Sequence, residues 1–450
     1  MSNLDHISHC YFIGIGGIGM SALARYLKQA GKNVAGYDKT PSALTEQLVS
    51  EGINIHYQDD YDSIPAQYKD INNAQVIYTP AIPVDFGELV RFRESGITIL
   101  KRAQLLGQIS KTMTCLAVAG THGKTTTSAI LTHLLYESGV PMTAFCGGII
   151  EKYNTNYIHT GNEVMVVEAD EFDRSFMNLQ PEIAGVTAMD ADHLDIYGDV
   201  EEFEKTFEDF AALVPQGNLL TTEVVSLPGK KVGFNNGDYQ ILNYRIQDES
   251  YYFDFKTPNQ LFKNIKWNLP GKHNLSNATL AMSMALEYGV QPEKLIKALG
   301  TFPGVDRRFT YRLNSNELVL IDDYAHHPTE INAVFQAVSE LYPDEEKLVV
   351  FQPHLYSRTK DFMDDFARSL AQFDQVYLLD IYPARELPIP GITSQSLQNR
   401  IEKITSGITS MVTKDQLENE LHRSNKRIIC MLGAGDIGVE IKKIAAKWVK

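Results

Sequence analysis

The 450-residue sequence predicts an α/β protein of three domains built on parallel sheets, and three observations predict it. Short apolar runs alternate with longer helical patterns along most of the chain, as in parallel sheets covered by helices. Glycine-rich turns join a strand to a helix at residues 14–19, 120–123 and 433–438. Several strands end abruptly in carboxylates or histidines, which places chemistry at the carboxyl edge of a sheet.

The elements follow in order. Cys10 to Ile13 reads as a strand, Met20 to Gln29 as a helix and Asn33 to Tyr37 as a second strand. Ala74 to Tyr78 and Ile97 to Leu100 add strands before a helix over Lys101 to Gln108. A second unit begins with the strand Thr114 to Ala119, the turn Gly120 to Gly123 and a helix from Lys124 to about Ser138. Val164 to Val167 and Ile183 to Thr187 are buried strands that run into Glu168-Ala169-Asp170-Glu171 and Asp190-Ala191-Asp192-His193. Leu227 to Trp267 reads as short strands of an antiparallel flap, and His273 to Tyr288 as a helix. After Phe302-Pro303-Gly304 the pattern restarts, with strands at Leu318 to Ile321, Lys347 to Phe351, Gln375 to Leu379 and Arg427 to Leu432. The expected domains are 1–110, 111–302 and 303–450.

Composition bounds the function. With 41 Lys+Arg against 56 Asp+Glu, the formal net charge of −15 disfavours nucleic-acid and membrane-surface binding, which reward clustered cations. An anionic substrate would need local devices such as helix N-termini, a lysine or a metal ion. Cys10, Cys115, Cys146 and Cys430 are too scattered for a zinc ribbon or a disulfide framework and read as buried thiols. Met1 to His6 carries no basic leader, and no run of about 18 apolar residues follows, so a cytoplasmic protein without membrane insertion is expected.

Gly14-Ile15-Gly16-Gly17-Ile18-Gly19 follows a strand, opens a helix and has Asp38 about twenty residues on, the pattern of a diphosphate-binding turn. The near copy Gly433-Ala434-Gly435-Asp436-Ile437-Gly438 reads instead as close helix–strand packing. Gly120-Thr121-His122-Gly123-Lys124-Thr125 is a phosphate loop. Its amides cradle phosphates, Lys124 reaches the β/γ oxygens and Thr125 ligates Mg2+. It is shorter than the common eight-residue loop, because Val118 stands where that pattern needs glycine. Glu168 and His193, at strand ends of the same domain, suit a divalent metal beside the phosphates. His326-His327-Pro328 and Gln352-Pro353-His354 place polar side chains at strand ends of the third domain.

These residues resemble the Mur ligases of bacterial peptidoglycan synthesis over essentially the whole chain. The resemblance rests on Gly14 to Met20 with Ser21, Gly120 to Thr127, Glu168 to Glu171, Asp192-His193-Leu194-Asp195, Gly271-Lys272-His273-Asn274 with Asn277, Arg307-Arg308-Phe309, Asp322 to Pro328, and Phe351 to His354 with Arg358. The short phosphate loop is the form this family uses.

The resemblance implies a Rossmann-like N-terminal domain for a UDP-sugar, a central P-loop domain for ATP, and a Rossmann-like C-terminal domain that closes over both. The implied reaction is ATP-dependent amide synthesis through an acyl phosphate, joining L-alanine to the lactyl carboxylate of UDP-N-acetylmuramic acid with Mg2+ or Mn2+. Gly14, Gly16, Gly17, Ile18, Gly19, Met20, Ser21, Asp38 and His122 would meet the UDP-sugar. ATP would meet Gly120, Thr121, His122, Gly123, Lys124, Thr125, Thr126, Asn274, Asn277, Arg308 and Asp323. Thr125, Glu168 and His193 would hold metal, with Glu171, Asp192 or water completing a second site. Tyr324, His326, His354 and Arg358 would receive the amino acid, Arg358 pairing with its carboxylate and His326 taking the amine proton. Lys124, His193, His326 and Arg358 are thus the expected catalytic set.

Two departures stand out. Leu355 follows His354 where many relatives carry arginine, and Glu208 stands where sister ligases carry a carbamylated lysine. Three rivals remain: a recycling ligase that attaches a tripeptide to the same sugar, a nicotinamide oxidoreductase, and a silent UDP-sugar sensor.

Overall fold

The computed structural model describes residues 6–190, 197, 199–384 and 386–448. Its first sheet holds β1 (His9–Ile13), β2 (Asn33–Tyr37), β3 (Asn54–His56), β4 (Ala74–Tyr78) and β5 (Ile99–Lys101), all parallel, in the order β3-β2-β1-β4-β5. The order reverses beside β1, and the glycine turn leaves from its carboxyl end, where open α/β sheets bind ligands.

The second sheet holds β6 (Thr114–Ala119), β7 (Met142–Ile150), β8 (Thr155–His159), β9 (Val164–Glu168), β10 (Ile183–Val186), β11 (Leu219–Thr222), β12 (Lys230–Phe234), β13 (Tyr239–Gln247), β14 (Ser250–Lys256) and β15 (Leu261–Trp267). Its order is β15-β14-β13-β12-β11-β10-β6-β9-β7-β8. The phosphate-loop strand β6 therefore lies between the two acid-tipped strands β9 and β10. The stretch expected to form a flap is instead the outer end of this sheet, and β7 with β8 adds an antiparallel hairpin that sequence reading did not anticipate.

The third sheet holds β16 (Thr310–Asn314), β17 (Val319–Asp323), β18 (Lys347–Phe351), β19 (Gln375–Leu378), β20 (Thr409–Met411) and β21 (Ile428–Leu432), in the order β16-β17-β21-β18-β19-β20. Only β16 runs antiparallel there.

Two compact units result: residues 1–243, 253–265 and 276–302, and residues 244–252, 266–275 and 303–450. In the first unit one core joins Phe12, Met20, Leu23 and Leu27 to Phe145, Met165, Phe176 and Phe207, so the first two sheets share buried apolar side chains. The helix Lys124–Glu137 is buried almost all round, from Thr125 to Leu135, and so lacks a polar stripe. In the second unit, separate clusters cover the two faces of the third sheet, as a parallel sheet requires. All four cysteines are free and buried. Among the described residues no helix is long and apolar enough to cross a membrane.

Candidate active site

The phosphate loop is fixed by sterics before any ligand enters the argument. Gly120 has φ +128° and Gly123 has φ +81°, conformations that a side chain rarely adopts, and a Cβ on Gly120 would collide with the Thr187 hydroxyl. Thr121 N–H donates to Ala188 O at 3.0 Å, and the Thr187 hydroxyl donates to His122 O, so the end of β10 holds the loop. Asn277 packs on the other side, its Oδ1 2.6 Å from where a Gly123 Cβ would stand.

Lys124 opens the following helix, and its ammonium donates to Gly120 O at 2.6 Å and to Glu171 Oε2 and Oε1 at 2.7 and 2.8 Å. Burial works against its charge, but Glu171, Asp170 and Glu168 outweigh it and raise the Lys124 pKa. Glu171 is 1% exposed; burial, with repulsion from Asp170, pushes its carboxyl up to about 7 against the pull of Lys124. Tyr197 O–H donates to Glu171 O at 2.5 Å. The His122 ring lies 3.6 Å from Asp190. Thr125 and Thr126 are buried in the first turn.

Glu168 ends β9, paired in register with Val118 of β6, and only glycine at 147 leaves room for its carboxylate. A hydroxyl and a carboxylate are the hard oxygen donors that Mg2+ prefers, so Thr125 and Glu168 fit the implied metal. Among the described residues no three His, Cys, Asp or Glu side chains converge as a metal site. His193 and Asp192 lie outside the described residues.

At the first glycine turn, Gly14 has φ +85°, and the N–H groups of Gly14 and Ile15 donate to Tyr37 O at 2.8 and 3.0 Å. Gly16 N–H donates to Asp38 Oδ2 at 2.7 Å, so the acid at the end of β2 braces the turn. Gly17 caps the helix Ile18–Gln29. Met20 and Ser21 are buried; the Ser21 hydroxyl donates to Ile18 O and accepts from Asn156 Nδ2, which fastens the helix to β8. A cavity of about 140 Å³ lies between this helix and the carboxyl end of β9, lined among others by Gly19, Arg102, Phe145, Gly147, Glu168 and Asp170.

In the second unit, Asp323 ends β17 and accepts from Phe309 N–H and Ala325 N–H, each at 2.7 Å, while burial pushes its carboxyl up to about 6. Arg308 lies over the Tyr324 ring at 5.3 Å and 3.6 Å from Glu330. Tyr324 meets His326 edge-on at 5.3 Å, His326 meets His354 at 6.2 Å, and His354 stacks on Tyr382 at 5.7 Å. Arg358 lies on the helix Tyr356–Asp361 and, after burial, helps push His326 down to about 3. His326 is therefore neutral near pH 7, the form that can accept a proton. Asn274 donates to Pro270 O at 2.6 Å.

Each unit thus gathers part of the expected set. The first holds the phosphate loop, Glu168, Asn277 and the glycine turn, and the second holds Asn274, Arg308, Asp323, Tyr324, His326, His354 and Arg358. Arg102 and Tyr382 escaped sequence reading because no local motif marks them. Glu330 carried a weak signal, four residues after His326 on a helix.

Fold and loop together define a nucleotide-binding α/β protein of the P-loop kind. The descriptions "Mur ligase family, catalytic domain", "Mur ligase middle domain" and "Mur ligase, glutamate ligase domain" match residues 9–114, 118–285 and 307–435. The chain is 53% identical to a UDP-N-acetylmuramate–L-alanine ligase of Christiangramia forsetii, over 99% of this chain and 98% of the relative. It is 55% identical to the ligase of the same name from Flavobacterium psychrophilum, over 98% and 99%. The solved UDP-N-acetylmuramate-alanine ligase of Thermotoga maritima superposes with a TM-score of 0.84 at 27% identity, covering 98% of this chain and 99% of that one. A murein peptide ligase of Psychrobacter arcticus shares the fold, with a TM-score of 0.69 at 20% identity over 98% of both chains. The chain belongs to the Mur ligase family, whose members use ATP.

Proposed function

We propose that this chain joins the amine of L-alanine to the lactyl carboxylate of UDP-N-acetylmuramic acid, converting ATP to ADP and phosphate, in the cytoplasmic synthesis of peptidoglycan precursors. The observation that carries the reading is identity above half with ligases of that name along nearly the whole chain. In this reading residues 1–110 serve the UDP-sugar, 111–302 serve ATP and 303–450 serve the amino acid.

The lactyl carboxylate oxygen attacks the γ-phosphorus as the bond to the β–γ bridging oxygen breaks, and ADP leaves. The alanine amine then attacks the acyl phosphate carbon; the carbon–oxygen bond to phosphate breaks, and the amine loses a proton. Lys124 and the loop amides spread the charge of the transferring phosphoryl group, the largest contribution a protein makes to such transfers. Thr125 and Glu168 would hold Mg2+, which shields phosphate charge, and Mn2+ has the same ligand preference for oxygen. Asn277, packed against Gly123, would recognise the adenine. Arg358 suits the alanine carboxylate through two parallel hydrogen bonds, with Tyr324, His326 and His354 around it.

The test is phosphate release from ATP with Mg2+ and UDP-N-acetylmuramic acid, adding L-alanine, glycine, L-serine or the tripeptide separately. Release that requires both sugar and L-alanine, and that Lys124→Ala abolishes, is the expected result. Release with the tripeptide alone would reassign the chain to the recycling reaction.

A further inference from the structure

We infer that Tyr382 is a positioning residue of the amino-acid site, a ring that fixes His354 and is itself seated by the second glycine turn; this deepens the proposed function and rests on it. The backbone makes the first argument. His354 lies between the end of β18 at Phe351 and the helix Tyr356–Asp361 and belongs to neither, and Leu355 after it has φ +69°. Tyr382 holds this segment twice. Its N–H donates to Pro353 O at 2.8 Å, and its carbonyl oxygen accepts from Leu355 N–H at 3.0 Å. The two bonds bracket His354 in a one-residue parallel bridge to Tyr382.

The rings give the second argument. Tyr382 stacks on His354 with centroids 5.7 Å apart and planes 14° from parallel, and His354 meets His326 at 6.2 Å and 73°. The χ2 torsion of a histidine is broad and does not choose its own angle, so a neighbouring ring has to choose it. Tyr382 makes that choice for His354, and the edge-on contact carries it to His326.

The third argument gives the second glycine turn a task. Gly433 has φ +145° and needs to be glycine for its backbone, whereas Gly435 does not have a left-handed φ. What excludes a side chain at Gly435 is contact. A Cβ there would stand 2.8 Å from both Tyr382 Cβ and Cγ, and closer still to Gln352 Oε1. Gln352 is pinned in turn, its Oε1 accepting from Ile437 N–H at 3.0 Å and its Nε2 donating to Asp436 Oδ1 at 2.8 Å. Gly435 is therefore the floor of a seat with fixed walls, and the side chain it seats is Tyr382.

The test is phosphate release by the full chain, reading KM for L-alanine and for ATP beside kcat, with urea unfolding as the control for folding. Tyr382→Leu is expected to raise KM for L-alanine by about 3- to 10-fold, the size of an aromatic pair, and to leave KM for ATP unchanged. Tyr382→Phe keeps the ring and the wild-type KM. Gly435→Ala, whose methyl displaces the ring, raises the same KM and shifts the His354 Cε1–H resonance in histidine-labelled protein. Gly435→Ala with Tyr382→Leu is no worse than the poorer single variant, because both act on one contact. In a His354→Ala background Tyr382→Leu changes KM no further. A loss that persists in that background would overturn the assignment, since Tyr382 would then act without His354. Equal losses for L-alanine and ATP would mark the ring as structural and overturn it too. Should Tyr382→Leu fail to fold, Gly435→Ala with and without His354→Ala decides the same question. Wild-type chain that releases no phosphate with L-alanine sinks the underlying function, whereas wild-type turnover with an unchanged Tyr382→Leu sinks this inference alone.

Discussion

Lys124→Met separates what the loop lysine does for folding from what it does for phosphate. Its ammonium is shared between Glu171, at 2.7 and 2.8 Å, and the fields of Asp170 and Glu168. Removing one partner of a buried pair ordinarily costs about 3–5 kcal/mol, because the other charge is left alone. Glu171 avoids most of that cost, since burial already pushes its carboxyl up to about 7. Protonating a group at a pH near its pKa costs less than about 1 kcal/mol, and loss of the lysine raises the pKa further. The sign follows from linkage. A carboxyl whose folded pKa exceeds its unfolded value contributes stability at low pH and loses it as pH rises toward the folded pKa. Lys124→Met should therefore match wild type within about 1–2 kcal/mol at about pH 6 and fall behind it by up to about 1.4 kcal/mol per pH unit on the way to about pH 9. Glu171→Gln in the same background should flatten that dependence. Turnover should fall at least about 100-fold at every pH, as when a preorganised charge donor is removed. Urea unfolding followed by circular dichroism, with phosphate release in parallel, reads both. A variant equally destabilised at both pH values, or one that keeps its turnover, would refute the reasoning.

His326→Gln should raise KM for L-alanine while leaving the acid midpoint of the kcat/KM profile in place, because a histidine pushed down to about 3 does not titrate in that range. Asp323→Asn turns an N–H2 group toward one of two backbone donors and should cost about 1–3 kcal/mol in urea unfolding. Arg312 donates to the buried Asp322 at 2.7 and 3.1 Å, so Arg312→Leu should cost about 3 kcal/mol by the same measurement. Leu355 has φ +69°, and Leu355→Gly should relieve about 1 kcal/mol of backbone strain and move the urea midpoint upward.

Strands buried on both faces were legible because they are apolar runs with sharp ends. β17 and β21 were read within a residue or two for that reason, and the phosphate loop because its spacing encodes its own geometry. β7 and β8 were not, since Gly147-Gly148 interrupts one and Asn156 and His159 make the other look like a loop. The chemistry of the site divides the same way. Lys124 and Thr125 announce themselves, but Glu171, the ammonium's partner, comes from 47 residues away, and Arg102 meets Asp170 across 68. No local pattern carries a pairing of that range.

The two G-x-G-x-x-G turns show what decides between a ligand cradle and a packing device. Both follow a buried strand and open a helix, so the sequence alone treats them as near copies. In the second, Gly433 has φ +145° with Gln352 O 2.7 Å from its would-be Cβ, Gln352 Oε1 accepts from Ile437 N–H at 3.0 Å, and Arg307 donates to Gly433 O and Gly435 O. Side chains of the protein itself fill that turn, the Gln352 amide oxygen accepting a helix-end N–H and Arg307 donating to two of its carbonyls. In the first, Asp38 takes the Gly16 amide and Arg102 stands beside Gly19. That pair keeps an acid and a base at the turn's rim while residues 14–21 contribute no charge of their own, the arrangement a bound diphosphate would complete. Identical glycine spacing therefore meets different surroundings, according to which polar groups the rest of the chain sends to each turn.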